Sequence, residues 1–305
     1  MKKIQHHFSV YELDPLPDTL WRDTKKIEGM KLGFCESCGF YHVDPYPSES
    51  YLSEFYKSYG TIQNADFGGV ARLIVRNVSK DSKIIDFGCG KGGLLSELYK
   101  LGYRNLYGFD QSPEVDDAKK LGIGSFDKIG LWDYLDDVES EGGTDADLIV
   151  MINVLEHVSR PIELLQRVYD ILPTHGKLCV VTPNDFSALQ RAKLKLEQCH
   201  PWFVCVPDHL NYFNFHSLKD TLSRNGFEVI DYSANYPFEL FLLQDLDYVS
   251  DPDLGPIANG RRVTFEENMY SAQMADVLDH FYRTLASGGY GRSVMYIAKK
   301  NDAQD

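Results

Sequence analysis

Residues Ile84 to Gly92 read I-I-D-F-G-C-G-K-G, a short apolar run that ends in an acid and breaks into glycines at 88, 90 and 92. A buried strand opening into a glycine turn places bare backbone N–H groups, here those of Gly88, Cys89 and Gly90, beside whatever lies at the strand's carboxyl end. About twenty residues on, a second apolar run, Leu106 to Phe109, stops at Asp110, followed by Gln111, and a carboxylate there can accept both hydroxyls of a ribose. Two strands and two acids describe a nucleoside pocket. A second reactive set lies further along. Asn153 to Val158 read N-V-L-E-H-V, and Pro207 to Phe213 read P-D-H-L-N-Y-F. Glu156, His157 and His209 are groups that can take or give a proton near neutral pH.

The elements that must carry these residues alternate. Strands are expected over 83–87, 106–109, 125–129, 146–152 and 177–182, and helices over 93–101, 113–121 and 161–172, which is the order of βαβ units and a parallel sheet covered on both faces. The acidic stretch with Asp136, Asp137, Glu139, Glu141, Asp145 and Asp147 reads as a solvated connection. After Thr182 the chain departs over 183–215. It resumes with a helix over 217–225, stopped by Asn225-Gly226, and a strand over 226–232. A second departure over 233–290 holds an Asp- and Pro-rich loop (251–256) and one long helix over about 265–285. A last strand over 293–298 closes the pattern. Insertions that follow strands of a doubly wound sheet fall on its carboxyl-end rim, where they can cover a ligand. The expected organisation is an amino-terminal segment (1–60), a cofactor-binding half (61–185), an insertion (186–210), a sheet continuation (211–235), a lid insertion (236–290) and a final strand with its tail (291–305).

At 305 residues, with 43% hydrophobic and 25% charged side chains, the chain has the composition of a soluble globular protein. Its formal charge is −14, from 31 Lys+Arg against 45 Asp+Glu. That excess disfavours nucleic-acid phosphates and anionic lipid as partners. The opening Lys2-Lys3 is followed by no apolar core of a signal peptide, and no run is long enough to span a bilayer, so a cytoplasmic location is expected. Cys89, Cys179, Cys199 and Cys205 are scattered, as reduced thiols are. Nothing in the sequence speaks to the oligomeric state.

Gly88, Gly90 and Gly93 also satisfy G-x-G-x-x-G, the dinucleotide fingerprint, so an oxidoreductase using a nicotinamide dinucleotide is one reading. Asp86 weighs against it, because an acid beside a pyrophosphate in a dry site is costly, whereas it suits a ligand carrying an ammonium group. With Asp110, D-L-I-V-M-I-N-V-L-E-H-V and P-D-H-L-N-Y-F-N-F-H-S-L, the glycine loop resembles the class I S-adenosylmethionine-dependent methyltransferases. The resemblance is to the branch holding ubiquinone O-methyltransferases and methylases of sugars, polyketides and surface polysaccharides. It covers roughly 81–232 plus the last strand.

The resemblance implies a seven-stranded, mostly parallel, doubly wound α/β sheet and S-adenosyl-L-methionine as cofactor. Asp86 with Gly88, Cys89 and Gly90 would hold its methionine end, Asp110 and Gln111 its ribose, and Leu131, Trp132 and their neighbour Asp133 its adenine, with Asn153 facing cofactor and substrate. The activity implied is O-methylation of a small hydroxylated acceptor such as a sugar or sugar nucleotide. A catalytically inactive cofactor-binding protein on the same fold is a third reading. His157 and His209 are the expected bases. In some ubiquinone O-methyltransferases acids and a histidine gather a divalent ion at the motif matching Glu156-His157, but Asn153 stands where the first acid would, and no metal is assigned there.

Two further features are ambiguous on sequence. Arg191, Lys193 and Lys195 could meet a phosphate or form a solvated face, and the aromatics Phe186, Trp202, Phe203, Tyr212, Phe213, Phe215, Tyr236, Phe238 and Phe241 could line a pocket or form core. In the amino-terminal segment, Cys35-Glu36-Ser37-Cys38-Gly39 is half of a zinc knuckle of the kind sugar methyltransferases of this group carry. Its other pair of ligands is missing, with His6, His7 and His42 as possible substitutes, so a module that kept its fold without metal is expected.

Overall fold

The structure is a computed structural model, and it describes residues 6–14, 16–22, 26–59, 67–197 and 201–301. Cys199, the Lys2-Lys3 start and the charged tail beyond Asn301 lie outside the described residues.

The central sheet is built around β4 (Ile84–Phe87), whose four residues are all buried. It pairs in parallel with β5 (Leu106–Phe109) on one side and β7 (Leu148–Ile152) on the other, Asp86 lying opposite Gly108 and Val150. Beyond β5 comes β6 (Ser125–Asp127), and beyond β7 come β8 (Lys177–Pro183), β11 (Ser293–Lys300) and β10 (Phe227–Ala234). The order is β10-β11-β8-β7-β4-β5-β6, with β11 antiparallel to both neighbours. This is the doubly wound α/β arrangement expected from the alternating pattern.

Helices cover both faces. On one, α2 (Phe67–Val75), α3 (Gly93–Lys100) and α4 (Val115–Lys120) bury Val70, Leu73, Leu94, Leu98 and Ala118 against Ile84, Leu106 and Val150. On the other, α5 (Leu131–Ser140), α6 (Pro161–Ile171) and α8 (Phe215–Arg224) bury Leu135, Leu164, Val168, Leu218 and Leu222 against Ile85, Phe87, Ile149 and Val180. Strands that present apolar residues to both sides need both layers, which is why 4–5-residue apolar runs here are strands. Helix α6 opens on Pro161, whose missing N–H falls where no intrahelical bond would form. Helix α8 starts two residues before its expected position because Asn214 and Ser217 make a reciprocal capping box, each bond 2.9 Å long.

Two expectations are corrected. Asp136, Asp137 and Glu139 belong to α5 rather than to a solvated loop, and Asp136 and Glu139 each meet the nearly buried Arg167 of α6 at 2.6 Å. The acids are a helix face whose partner comes from another helix, which charge density alone does not show. The single helix expected over 265–285 is two, α10 (Leu254–Ser271) and α11 (Ala275–Ser287). Between them Gln273 adopts a left-handed φ of 59°, its N–H bonds the Tyr270 carbonyl, and the Met274 N–H bonds the Met269 carbonyl. This pairing terminates a helix without a glycine to announce it. Helix α10 also takes in Pro256 in its first turn, where a proline costs no hydrogen bond.

A second, four-stranded antiparallel sheet is formed by β1 (Phe8–Leu13), β2 (Lys31–Cys35), β3 (Phe40–Asp44) and β9 (Asn211–Tyr212). Strand β9 comes from the first insertion, so the amino-terminal segment and the insertion share one sheet and one core. Phe186 stacks on Tyr41 at 4.1 Å and packs with Phe203, Leu210, Tyr212 and Leu32. Most of the insertion's aromatics are this core rather than the wall of an open pocket, and Tyr236, Phe238 and Phe241 pack on one another beside α9 (Glu239–Leu242). Arg191 and Lys193 of α7 (Ala188–Glu197) are likewise turned into the fold. Arg191 donates to the Phe186 carbonyl and the Tyr41 hydroxyl at 3.1 Å each, and Lys193 reaches the Leu242 carbonyl at 3.4 Å; Lys195 stays exposed. Helix α1 (Glu49–Tyr59) follows the small sheet, and its Tyr56 hydroxyl donates to the Asp208 carbonyl at 2.9 Å. Among the described residues no helix is long and apolar enough to cross a membrane.

Candidate active site

The glycine turn sits at the carboxyl end of β4. Gly88 and Gly90 take left-handed φ values of 73° and 50°, a conformation glycine adopts without strain. The turn's N–H groups are not bare, contrary to the reading of the sequence. Those of Gly88 and Cys89 both donate to the Phe109 carbonyl at 3.0 Å, and that of Gly90 donates to Asp110 Oδ2 at 2.9 Å. Buried amides must be paired, and β5 is the partner within reach. The glycines keep the turn itself free of side chains, although Val154 reaches over Gly88. Cys89 contributes no exposed thiol, for its side chain is packed beneath Gly108, where an added Cβ would come within 2.9 Å of Sγ.

Asp86 is 3% exposed. Burial, reinforced by the nearby Asp110 carboxylate, pushes it up to about 8. It caps no turn, and no hydrogen bond reaches its carboxylate among the described residues. A buried acid so placed is completed by a cation. Asp110 plays two parts, since its second oxygen accepts the Ser112 N–H at 2.7 Å, and each oxygen retains a lone pair for a ligand hydroxyl. Removing it strands the amides of Gly90 and Ser112. Asp110→Ala is therefore expected to lower stability by about 1–3 kcal/mol in urea unfolding, besides any loss of ligand. Gln111 is exposed beside it, and Leu131 and Trp132 open α5 after β6, Trp132 lying under the Arg160 guanidinium at 4.0 Å. A glycine turn, a buried acid and a paired acid at adjoining strand ends fit a nucleoside that carries an ammonium group.

One strand over, β7 ends in Asn153, which holds a left-handed φ of 53° and donates its N–H to the Val181 carbonyl at 2.9 Å. Asparagine is among the few residues that tolerate this turn. The next residue, Val154, lies over the glycine loop, 3.2 Å from where a Cβ on Gly88 would be. This contact brings N-V-L-E-H-V to the cofactor turn.

Glu156, His157 and His209 then converge, one donor atom of each lying within 4.8 Å of the others. Strand β9 fixes the arrangement, because the Leu210 and Asn211 N–H groups both bond the Glu156 carbonyl and the Asn211 side chain donates to the carbonyls of Leu155 and Val158. His157 Nδ1 meets the Asp208 carbonyl oxygen at 2.7 Å, the Asp208 carboxylate at 3.3 Å and the Tyr56 hydroxyl at 3.1 Å. Burial alone would lower it, but the bond to Asp208 and the charges of Glu156 and Asp208 raise it to about 9. His157 is thus an imidazolium at neutral pH. Against the upward push of burial, its bond and charge hold the Asp208 carboxyl below its ordinary value. His209, with its ring centroid 4.9 Å from that of His157, is lowered to about 3 by burial and by the neighbouring cation, and its Nδ1 has no partner. Glu156 is 1% exposed with neither carboxylate oxygen hydrogen-bonded, and burial raises it to about 7 even though His157 acts in the opposite sense.

Two partners of this cluster escape a reading of the sequence. Asp208 is adjacent to His209 in P-D-H, yet serves His157. Tyr56 comes from α1 and carries no signal beyond its place in F-Y. At this cluster Asn153 supplies an amide where the metal-binding motif of some ubiquinone O-methyltransferases has its first acid, and an amide is a weaker ligand for a divalent ion than a carboxylate. No metal-dependent step is derived.

Residues 63–232, more than half of the chain, match the family model described as "Methyltransferase domain". The chain belongs to this family, the class I S-adenosylmethionine-dependent methyltransferases, which use S-adenosylmethionine as cofactor. The dinucleotide reading of the glycine loop is therefore set aside. The chain is 35% identical over 113 residues to the mitochondrial ubiquinone biosynthesis O-methyltransferase of Schizosaccharomyces pombe, covering 35% of this chain and 40% of that protein. It is 29% identical over 115 residues to a tRNA U34 carboxymethyltransferase of Helicobacter pylori, covering 36% and 44%. The chain thus spans less than half the length of these curated relatives. Among solved structures it resembles the 1,6-didemethyltoxoflavin-N1-methyltransferase of Burkholderia thailandensis, with a TM-score of 0.51 at 12% identity over 91% of this chain and 98% of that one. That likeness is one of fold.

Proposed function

We propose that the chain methylates a hydroxyl of a small acceptor, with a sugar or sugar nucleotide as the favoured class. The observation that carries the reading is the juxtaposition of two chemistries at one sheet edge. Asp86 and Asp110 flank the glycine turn, and Val154 joins that turn to a cluster containing a buried acid, Glu156, which no hydrogen bond satisfies and which faces His157 at 4.0 Å. S-adenosylmethionine held at the turn would supply a methyl group on cationic sulfur, which the acceptor oxygen would take as the carbon–sulfur bond broke with its electron pair left on sulfur.

In this reading Asp86 pairs with the cofactor's ammonium, Asp110 and Gln111 with its ribose, and Leu131 and Trp132 flank its adenine, while Gly88 and Gly90 make room for its methionine end. Asn153 faces both ligands. Glu156, raised to about 7, is matched to receive the acceptor's proton at neutral pH. His157 already holds a proton and serves to orient the cluster and balance its charge, and His209 stays neutral beside the acceptor. This reassigns the base from the histidines to the acid between them.

The net charge of −14 supports a small acceptor over a polyanion. Release of S-adenosylhomocysteine in the presence of hydroxylated acceptors, with tRNA as the competing substrate, tests the reading. Turnover is expected with a sugar or sugar nucleotide, and without a loss of base catalysis in His209→Ala, since the base in this reading is Glu156. Turnover with tRNA alone would overturn the acceptor class.

A further inference from the structure

The proposed reaction uses no residue of the Cys-x-x-Cys turn, yet the small sheet folds two histidines onto it. Cys35 ends β2, and Gly39, at φ 85°, turns the chain so that its N–H reaches the Cys35 carbonyl at 2.7 Å. This returns Cys38 beside Cys35. Strand β3 then places His42 two residues beyond Phe40, the partner of Cys35 across the ladder, and so on the same face. His6 arrives from the other side, two residues ahead of Phe8, which also pairs with Cys35. His7 is diverted to Glu36 at 2.9 Å.

One donor atom each of His6, Cys35, Cys38 and His42 lies within 4.8 Å of all the others. His6 Nδ1 is 3.4 Å from Cys38 Sγ and 3.8 Å from Cys35 Sγ. Ligands bound tetrahedrally at about 2.3 Å through sulfur and about 2.0–2.1 Å through nitrogen stand about 3.5–3.6 Å apart. The two nitrogen–sulfur distances from His6 bracket that value, and the whole set is close enough to close on one ion as an S2N2 centre.

An independent observation comes from His42, which is 0% exposed. Its Nδ1 donates to the Val43 carbonyl at 2.8 Å, and its Nε2 is buried with no hydrogen-bond partner. A ring anchored through one nitrogen on a carbonyl, with the lone pair of the other unused, is the arrangement of a metal-bound histidine.

We propose that His6, Cys35, Cys38 and His42 bind one zinc ion, and that the ion braces the small sheet against the acceptor side of the active site. Two thiolates and two imidazoles in tetrahedral array suit zinc. The brace runs through His42, whose ring stacks on Tyr46 at 4.8 Å and whose backbone lies opposite Asn211 in β9. Tyr46 donates to Asn211, and Asn211 holds the carbonyls on either side of Glu156 and His157. The zinc site stands whether or not the acceptor reading is right.

Metal analysis of the reduced full-length protein is expected to find one zinc per chain, and replacement by cobalt(II) to give the visible bands of tetrahedral coordination with thiolate charge transfer. Cys38→Ser should lose the metal. His6→Ala, at an exposed position that folding tolerates, should weaken zinc at least tenfold in competition with a chromophoric chelator and alter the cobalt spectrum. His209→Ala should keep full stoichiometry, which separates this site from the Glu156–His157–His209 cluster. Binding of S-adenosylhomocysteine by the variants verifies that the larger domain is folded. Wild-type protein that takes up neither zinc nor cobalt with thiolate bands, or metal unaffected by both Cys38→Ser and His6→Ala, would overturn the proposal.

Discussion

Asp86→Asn is expected to weaken S-adenosylhomocysteine binding by about 1.5–3 kcal/mol, the scale of a hydrogen bond to a charged group, and to abolish its pH dependence. In the free protein Asp86 is protonated up to about pH 8 because burial and Asp110 disfavour its charge. The folded chain therefore binds a proton there that the unfolded chain has released. This group lowers stability progressively as pH rises from the ordinary carboxylate range toward 8. An ammonium ligand reverses the preference by stabilising the carboxylate, and its binding expels the proton. Affinity in wild type should accordingly increase with pH, by on the order of tenfold per unit at its steepest, and level off above about 8. Isothermal titration between pH 6 and 8.5 reads both effects. An equal slope in Asp86→Asn would assign the proton to another group and detach Asp86 from the ammonium.

Glu156→Gln is expected to reduce turnover by about 10²–10⁴-fold, the contribution of a positioned base, while leaving affinity for the cofactor product within twofold. Glutamine keeps the shape of the side chain and its buried setting, so folding is not at issue. In wild type the rate should rise with pH through about 7, as Glu156 ionises, and this limb should vanish in the variant. The two acids are separable because one governs binding and the other the chemical step. If Glu156→Gln lowered affinity and left turnover intact, the carboxylate would belong to the ligand's frame instead.

The strands and the cofactor half were legible because apolar runs of strand length ending in glycine or an acid have few other uses in a folded chain. Asp86 and Asp110 could be singled out for the same reason: each ends a buried run, where an acid is costly without a partner. Less accessible was anything decided by a distant partner. The acids of α5 look solvated until Arg167 arrives from α6, and Arg191 and Lys193 look free until Tyr41 and Leu242 meet them. The break at Gln273 uses a left-handed residue with no glycine to mark it. The turn amides were misread because the carbonyl that consumes them, at Phe109, belongs to the next strand.

By itself the sequence determined the class of sheet and the order of its strands, since these follow from local periodicity within successive βα units. Only the tertiary structure decided the protonation of the cluster. Asp208, fifty-one positions from His157, keeps that ring charged, and the charge then depresses His209 and leaves Glu156 as the acid poised near neutrality. It likewise decided that His6 and His42 complete the cysteine pair, because strand register brings them to one face. Proton affinities and ligand sets depend on a few ångströms between groups far apart in the chain, and those distances exist only once the sheets have closed.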